Sequence, residues 1–281
     1  MADISAKDVA ALRKMTGAGM MDCKQALEES DGDMERAKDW LREKGKAGSA
    51  KRVGRSADQG AVEVLVDGSV GALVELNCET DFVAKSADFT ALLGAVTRAV
   101  VANPDGDPAS LPVDGGTVAD AIGELGAKIG EKLELGRVSR YETTDGLLDV
   151  YKHVQSERGV VGVLVELGGV DPANAQAREV AHDIALHIAS QAPRYVTRDD
   201  VPAEEIDRER AVLETQTREE GKPEQAIAKI VDGKLGGFFK QVSLLDQAFV
   251  KDQKTTIGAL VASLGGDAVV RRFVRVKIGE D

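Results

Sequence analysis

The spacing of apolar residues changes several times along this chain, and each change marks an element. Up to residue 45 the period is helical. Val9 and Leu12 share the face of a helix predicted from Ser5 to Met15, with Ser5 as its cap. Cys23, Ala26 and Leu27 share the face of a second, beginning near Asp22. Met34, Ala37, Trp40 and Leu41 define a third, which ends before Gly45. The turn residues Thr16-Gly17-Ala18-Gly19 and Ser30-Asp31-Gly32-Asp33 separate the three. A core this small is marginal by itself.

The period then drops to two. Val62, Val64 and Val66 alternate with Glu63 and Leu65, Asp67-Gly68 turns the chain, and residues 71–76 return. Asp-Gly between β-rich runs is a strong hairpin signal. A helix follows, with Phe89, Leu92, Leu93, Val96 and Val100 inward, and it stops before Pro104. A loop over 103–116 leads to another helix, capped by Thr117, with Val118, Ile122, Leu125 and Ile129 inward. The strand–turn–strand–helix order recurs from Leu147 to Pro193, with Asp171-Pro172 read as the second helix cap. Val70-Gly71-Ala72-Leu73-Val74-Glu75-Leu76 and Val161-Gly162-Val163-Leu164-Val165-Glu166-Leu167 differ only at Ala72 against Val163. This internal repeat predicts two related halves packed together.

Residues 202–237 depart from the repeat. A charged helix over 203–220 breaks at Gly221-Lys222-Pro223, and a second follows with Ala226, Ile227, Ile230, Val231 and Lys234. This reads as an antiparallel helical hairpin with an apolar seam on its second arm, either solvated or projecting toward a partner. A helix over 255–263 and a strand carrying Val274, Val276 and Ile278 close the chain, and the strand is expected to complete the second sheet. The predicted class is α+β. The expected divisions are a helical module (1–45), a linker (46–56), a first core subdomain (57–140), a second (141–201 and 238–281) and the inserted hairpin (202–237).

Composition narrows the function. The 281 residues carry a net charge of −12, against a nucleic-acid binder that works by releasing condensed counterions. The basic run from Lys44 to Arg55 is the one segment that invites a nucleic-acid contact, and it reads better as a flexible or partly helical linker. No apolar run approaches a membrane span and no signal peptide opens the chain, so a cytoplasmic protein is expected. Cys23 and Cys78 have no metal-site spacing, and no phosphate loop or nucleophile elbow appears. No cofactor, metal or bond chemistry is therefore expected. An enzyme using Asp81 with His182 or His187 lacks a nucleophile nearby in sequence.

One segment stands out: Glu75-Leu76-Asn77-Cys78-Glu79-Thr80-Asp81-Phe82-Val83-Ala84-Lys85. It runs from a strand into a helix, with an acid and one of only six Phe side by side at the turn. The second copy has Gly168-Gly169-Val170-Asp171 there. The fold therefore does not require the pair, and a wedge aimed at another molecule is the functional reading.

That segment and Leu12-Arg13-Lys14-Met15-Thr16-Gly17-Ala18-Gly19-Met20-Met21-Asp22-Cys23-Lys24-Gln25-Ala26-Leu27 resemble elongation factor Ts, the exchange factor family for elongation factor Tu. The resemblance extends over nearly the whole chain, including Lys128-Ile129-Gly130-Glu131. It departs at Ser86, where the family often has Asn, and at the C-terminus, where some members continue into a helical tail. The N-terminal helices also resemble the ubiquitin-associated type of docking module. The resemblance implies that Thr80, Asp81, Phe82 and Val83 insert near the magnesium and phosphate site of elongation factor Tu. Phe82 would part packed helices, and Asp81 would disturb the groups that order the metal. Arg13, Met20 and Met21 would dock the partner's nucleotide domain. His187 would contact it near the phosphate loop, or be a helix histidine satisfied within the fold. Elongation factor Tu is implied in its GDP-bound and nucleotide-free forms. A homodimer of the complex, through the core or the hairpin, stays open, as does a docking scaffold without exchange activity.

Overall fold

The computed structural model describes residues 4–16, 18–52 and 54–280. Gly17 of the first predicted turn lies outside them, as do the side chains of residues 45–53 in the basic run. The N-terminal helices are α1 (Ala6–Thr16), α2 (Met20–Glu29) and α3 (Met34–Arg52). Ser5 caps α1: its hydroxyl accepts from Asp8 N at 3.2 Å, and the Asp8 carboxylate accepts from Ser5 N at 3.3 Å. Val9, Leu12, Cys23, Ala26, Leu27 and Ala37 form the core of this head. The third helix does not stop before Gly45. It continues to Arg52, so the helical alternative holds over most of the basic run.

Eight elements then occur twice. The first half contains β1 (Gln59–Asp67), β2 (Val70–Cys78), α4 (Asp81–Ala84), α5 (Ala87–Ala102), a 3-10 turn at Pro108–Ser110, β3 (Pro112–Val113), β4 (Gly116–Thr117), α6 (Val118–Ile129) and β5 (Leu133–Glu142). The second contains β6 (Gly146–Gln155), β7 (Arg158–Gly168), α7 (Ala175–Gln191), a 3-10 turn at Leu244–Asp246, β8 (Ala248–Phe249), β9 (Asp252–Thr256), α10 (Ile257–Ala262) and β10 (Val269–Lys277). Between α7 and the second 3-10 turn lie α8 (Ala203–Glu219) and α9 (Glu224–Val242). Apart from this inserted pair, α4 is the one described element of the two halves without a counterpart. The repeat is thus longer than the strand–turn–strand–helix unit legible in the sequence.

Each half builds a three-stranded antiparallel sheet, ordered β1-β2-β5 and β6-β7-β10. The repeated heptad is the central strand of each. Its glutamate has the same role twice, because the third strand carries an extra residue opposite it. Glu75 faces a bulge in β5 and accepts from Arg137 N at 2.9 Å. Glu166, 3 % exposed, faces a bulge in β10 and accepts from Arg272 Nε at 2.6 Å and Arg271 Nη1 at 3.4 Å.

One face of each sheet is covered by its own helices, α5 and α6 in the first half, α7 and α10 in the second. The other faces meet, burying Val62, Leu73, Leu148, Leu164 and Val276 between them. Two glycines make this contact possible. A Cβ on Gly71 would lie 2.7 Å from Leu164 Cδ1, and one on Gly162 would lie 2.6 Å from Val62 Cγ2 and 3.2 Å from Leu73 Cδ1. The second heptad position of each half therefore receives the fourth of the other.

The predicted Asp171-Pro172 cap of α7 is corrected: Asn174 Oδ1 accepts from Gln176 N at 2.9 Å and Ala177 N at 3.2 Å, while Asp171 holds the preceding turn. The seam of the helical hairpin is not confined to its second arm. Leu213 and Ile206 of α8 join Ile227, Val231, Leu235, Phe238 and Phe239 of α9. Its root is stitched, with Arg194 N and Tyr195 N both donating to Val242 O at 2.9 and 3.0 Å.

Gly162→Ala is expected to cost about 1–3 kcal/mol, because the methyl group overpacks the contact between the sheets. Leu73→Ala should relieve part of that cost. Urea denaturation of the two single variants and the double variant checks this: the double should be less destabilised than the sum.

Candidate functional site

The strand β2 ends at Cys78, and within two residues the chain enters the single turn of α4. Thr80 caps it, its hydroxyl accepting from Val83 N at 3.4 Å. One carboxylate from elsewhere holds the approach. Glu131 Oε2 accepts from Glu79 N at 3.1 Å and from Thr80 N at 3.0 Å, and Glu131 Oε1 accepts from the Thr80 hydroxyl at 2.6 Å. Glu79 reaches back the other way and accepts from Lys132 N at 2.6 Å. Arg55 spans the pair, 3.2 Å from Glu79 and 3.4 Å from Gly130 O. Beneath them the Cys78 thiol donates to Thr80 O at 3.1 Å. Burial, with the Glu131 charge adding to it, pushes that thiol up to about 12, so it stays protonated and inert.

From this anchored turn the side chains separate by environment. Ala84 is fully buried and Val83 packs on the first-half core. Phe82 is 80 % exposed. Lys85 Nζ lies 2.5 Å from Asp81 Oδ2 and 5.9 Å from the centre of the Phe82 ring. The Lys85 hydrogen bond holds the Asp81 carboxyl below its ordinary range. Asp81 therefore presents a carboxylate beside an aromatic that is left largely exposed. It stands in no acid–base dyad with a histidine: His182 Nδ1 is 3.1 Å from Asp149, and His187 is engaged elsewhere.

Residues 79–280 match the family model "Elongation factor TS", and residues 2–49 match "Elongation factor Ts, mitochondrial, N-terminal". The chain is 46% identical over 284 residues to elongation factor Ts of Micrococcus luteus, covering 99% of this chain and 100% of that one. The chain belongs to the elongation factor Ts family. It is also 48% identical over 285 residues to elongation factor Ts of Mycobacterium bovis and 47% identical over 285 residues to that of Thermobifida fusca, covering the whole of each chain. This is a family of translation elongation factors. No helix among the described residues is long and apolar enough to cross a membrane.

The other residues singled out in this elongation factor Ts sequence fall in two settings. Arg13 is exposed on α1, and Met20 and Met21 are 53% and 74% exposed in the first turn of α2. Met15, not singled out by sequence, joins them at 53%. The head that carries them rests on α6, with Arg42 3.4 Å from both Asp120 and Glu124. His187 is different. It is fully buried on α7, with Phe249 tilted against its ring. Val250 N donates to Nδ1 at 3.2 Å, which leaves Nε2 to donate to Gln247 Oε1 at 2.9 Å. Both ring nitrogens of this buried histidine are thus satisfied inside the fold.

Sequence reasoning missed Glu131, Lys85 and Arg55 as parts of this site. The signal at Glu131 was its sign. It follows the left-handed cap Gly130 at the C-terminal end of α6, where a carboxylate is unfavourable unless donors from outside meet it.

Phe82→Ala should leave stability within about 0.5 kcal/mol of the parent chain, because the ring is mostly in solvent; thermal unfolding checks it. Burial depresses the His187 pKa below its ordinary value of 6.5. The unfolded chain then binds the extra proton first. The stability contributed by the neutral ring is complete above pH 6.5 and declines as pH falls from there toward the folded value. Thermal melts at pH 7.5 and 5.5 should show a larger loss for the parent chain than for His187→Gln.

Proposed function

We propose that this chain is a guanine nucleotide exchange factor that binds GDP-loaded elongation factor Tu, disturbs its magnesium and phosphate site and promotes GDP release. The observation that carries this reading is Phe82, an 80 % exposed aromatic on a turn whose backbone is held by Glu131 and whose twin half has no such turn. A large apolar side chain left in water on a fixed support is arranged to enter another molecule.

The chemistry of exchange needs no bond made or broken. A bound diphosphate is held by backbone donors and a magnesium ion. A factor releases it by binding the nucleotide-free state better than the nucleotide-bound one. The coupling is mutual: the factor weakens nucleotide, and nucleotide weakens the factor. In this scheme Phe82 inserts between packed elements of elongation factor Tu and moves the groups that organise the metal. Asp81 brings a carboxylate toward the ordered water and ligands there. Thr80 and Val83 set the height and angle of the pair. Arg13, Met20 and Met21 dock the nucleotide domain, the methionines supplying adaptable apolar contact and the arginine a charge. His187 serves the fold that supports the second half. Elongation factor Tu acts in translation, so the site of action is the cytoplasm.

Phe82→Ala is expected to slow factor-stimulated GDP release at least about tenfold, a loss of ~1.4 kcal/mol or more, while the factor still folds and binds. Stopped-flow release of a fluorescent GDP from elongation factor Tu measures it. A release rate equal to that of the parent factor sinks the wedge, and no stimulation by the parent factor leaves only a docking scaffold.

A further inference from the structure

We propose that Glu131 is a positioning residue for nucleotide exchange: its carboxylate holds the backbone of Glu79 and Thr80 so that Phe82 is delivered at a fixed angle. This deepens the exchange reading and rests on it.

Three observations carry the inference. The first is the density of bonds. One side chain accepts two backbone N–H groups and one hydroxyl from consecutive residues, at 3.1, 3.0 and 2.6 Å. Bonds to an ionised acceptor are roughly twice as strong as neutral ones. They fall on the two residues immediately before Asp81 and Phe82, the hinge by which the wedge could swing.

The second is where the carboxylate is based. Glu131 lies in the three-residue link between α6 and β5, both of which belong to the first-half core. Glu79 returns a bond to Lys132 N at 2.6 Å, so each side of the junction grips the other. The same α6 carries the head through Arg42. One helix therefore sets the exchange turn and the exposed methionines in a common frame.

The third is an internal control. The strands β5 and β10 align with Leu135 on Val270, which places Gly130 on Gly265 and Glu131 on Gly266. Both Gly130 and Gly265 are left-handed, at φ 85° and 70°. Gly130 caps α6 directly, whereas Gly265 lies two residues beyond Ser263, the cap of α10; a left-handed glycine follows the helix in both halves, but the acid after it exists in only one. The half without it also has Val170 and Asp171 where the first half has the clamped Glu79 and Thr80, and Ala173 where it has Phe82. Clamp and wedge occur together and are missing together. Were Glu131 merely part of the fold's design, the second half would have kept an acid too.

The test is a double-mutant cycle on the full-length factor, read by maximal GDP release rate from elongation factor Tu and by the factor concentration at half-maximal rate. Glu131→Gln retains the shape but offers one acceptor oxygen and turns an NH2 group toward donors. It should lower the maximal rate about fivefold, with the half-maximal concentration changed less than twofold. On the Phe82→Ala background it should add nothing, because a wedge that is gone needs no aiming. Thr80→Val, which removes the hydroxyl at the other end of the 2.6 Å bond, should behave likewise and replaces Glu131→Gln if that variant melts well below the parent. A parent-like maximal rate for both variants, or the same fivefold loss on the Phe82→Ala background, overturns the proposal. If Phe82→Ala itself releases GDP at the parent rate, the exchange reading fails first. If Phe82→Ala is slow while Glu131→Gln and Thr80→Val are both normal, only the clamp fails.

Discussion

Two hydrogen atoms decide how this molecule is assembled. At Gly71 and Gly162 the absence of a side chain lets the sheets approach until Leu164 and Leu73 fill the space. The arrangement is reciprocal, because each half offers one hollow and one knob from the same heptad. Close packing of this kind has little tolerance for even one methylene. Everything outward of the contact inherits its geometry: the central strands fix the register of their neighbours, the bulges meet the heptad glutamates, and the covering helices follow. The exchange turn is a direct continuation of one of those central strands. Its position in space is therefore set at the sheet contact, far from its own surface.

What could be read in the sequence was what local physics enforces. Asp67-Gly68 made a hairpin because few other residues accept that backbone, and Gly68 indeed sits at φ 59°. The heptads announced the repeat, since a doubly covered strand must be apolar on both faces. The third strand β5 was not legible, because Leu133–Glu142 is half exposed along its length and interrupted by Gly136 at the bulge. The two-residue strands β3, β4 and β8 are too short for any period to show. Asn174 lost to Asp171 as a predicted cap because both are cap formers three residues apart, and only the path of the chain chooses between them.

The site divides the same way. Asp81 and Phe82 could be found because they are neighbours in sequence and because the second half lacks them. Glu131 is 51 residues from the hydroxyl it holds, and nothing local marks that partnership except a charge of the wrong sign at a helix end. His187 was the open case. Its position in a family-like stretch left a partner contact and a histidine satisfied in the fold both open, and the structure buries it with two hydrogen bonds. Local pattern identifies what is unusual; only the fold tells whether the unusual residue looks outward or inward.

The duplication also bears on the helical hairpin. It leaves the second half at a point where the first half has a simple loop, and both of its connections meet at Val242 O. In topological terms it is a side branch, not a link, because the path of the core continues from Val196 to Leu245 as if the branch were absent. Each arm is 17 or 19 residues long, so the branch reaches about 25 Å beyond its root. Anything that grips the tip acts on a long lever with a single narrow fulcrum. Such a lever acts on the second half at its root, and the second half meets the first across the glycine–leucine seam and through the Lys152–Glu63 and Arg158–Gly60 contacts beside it.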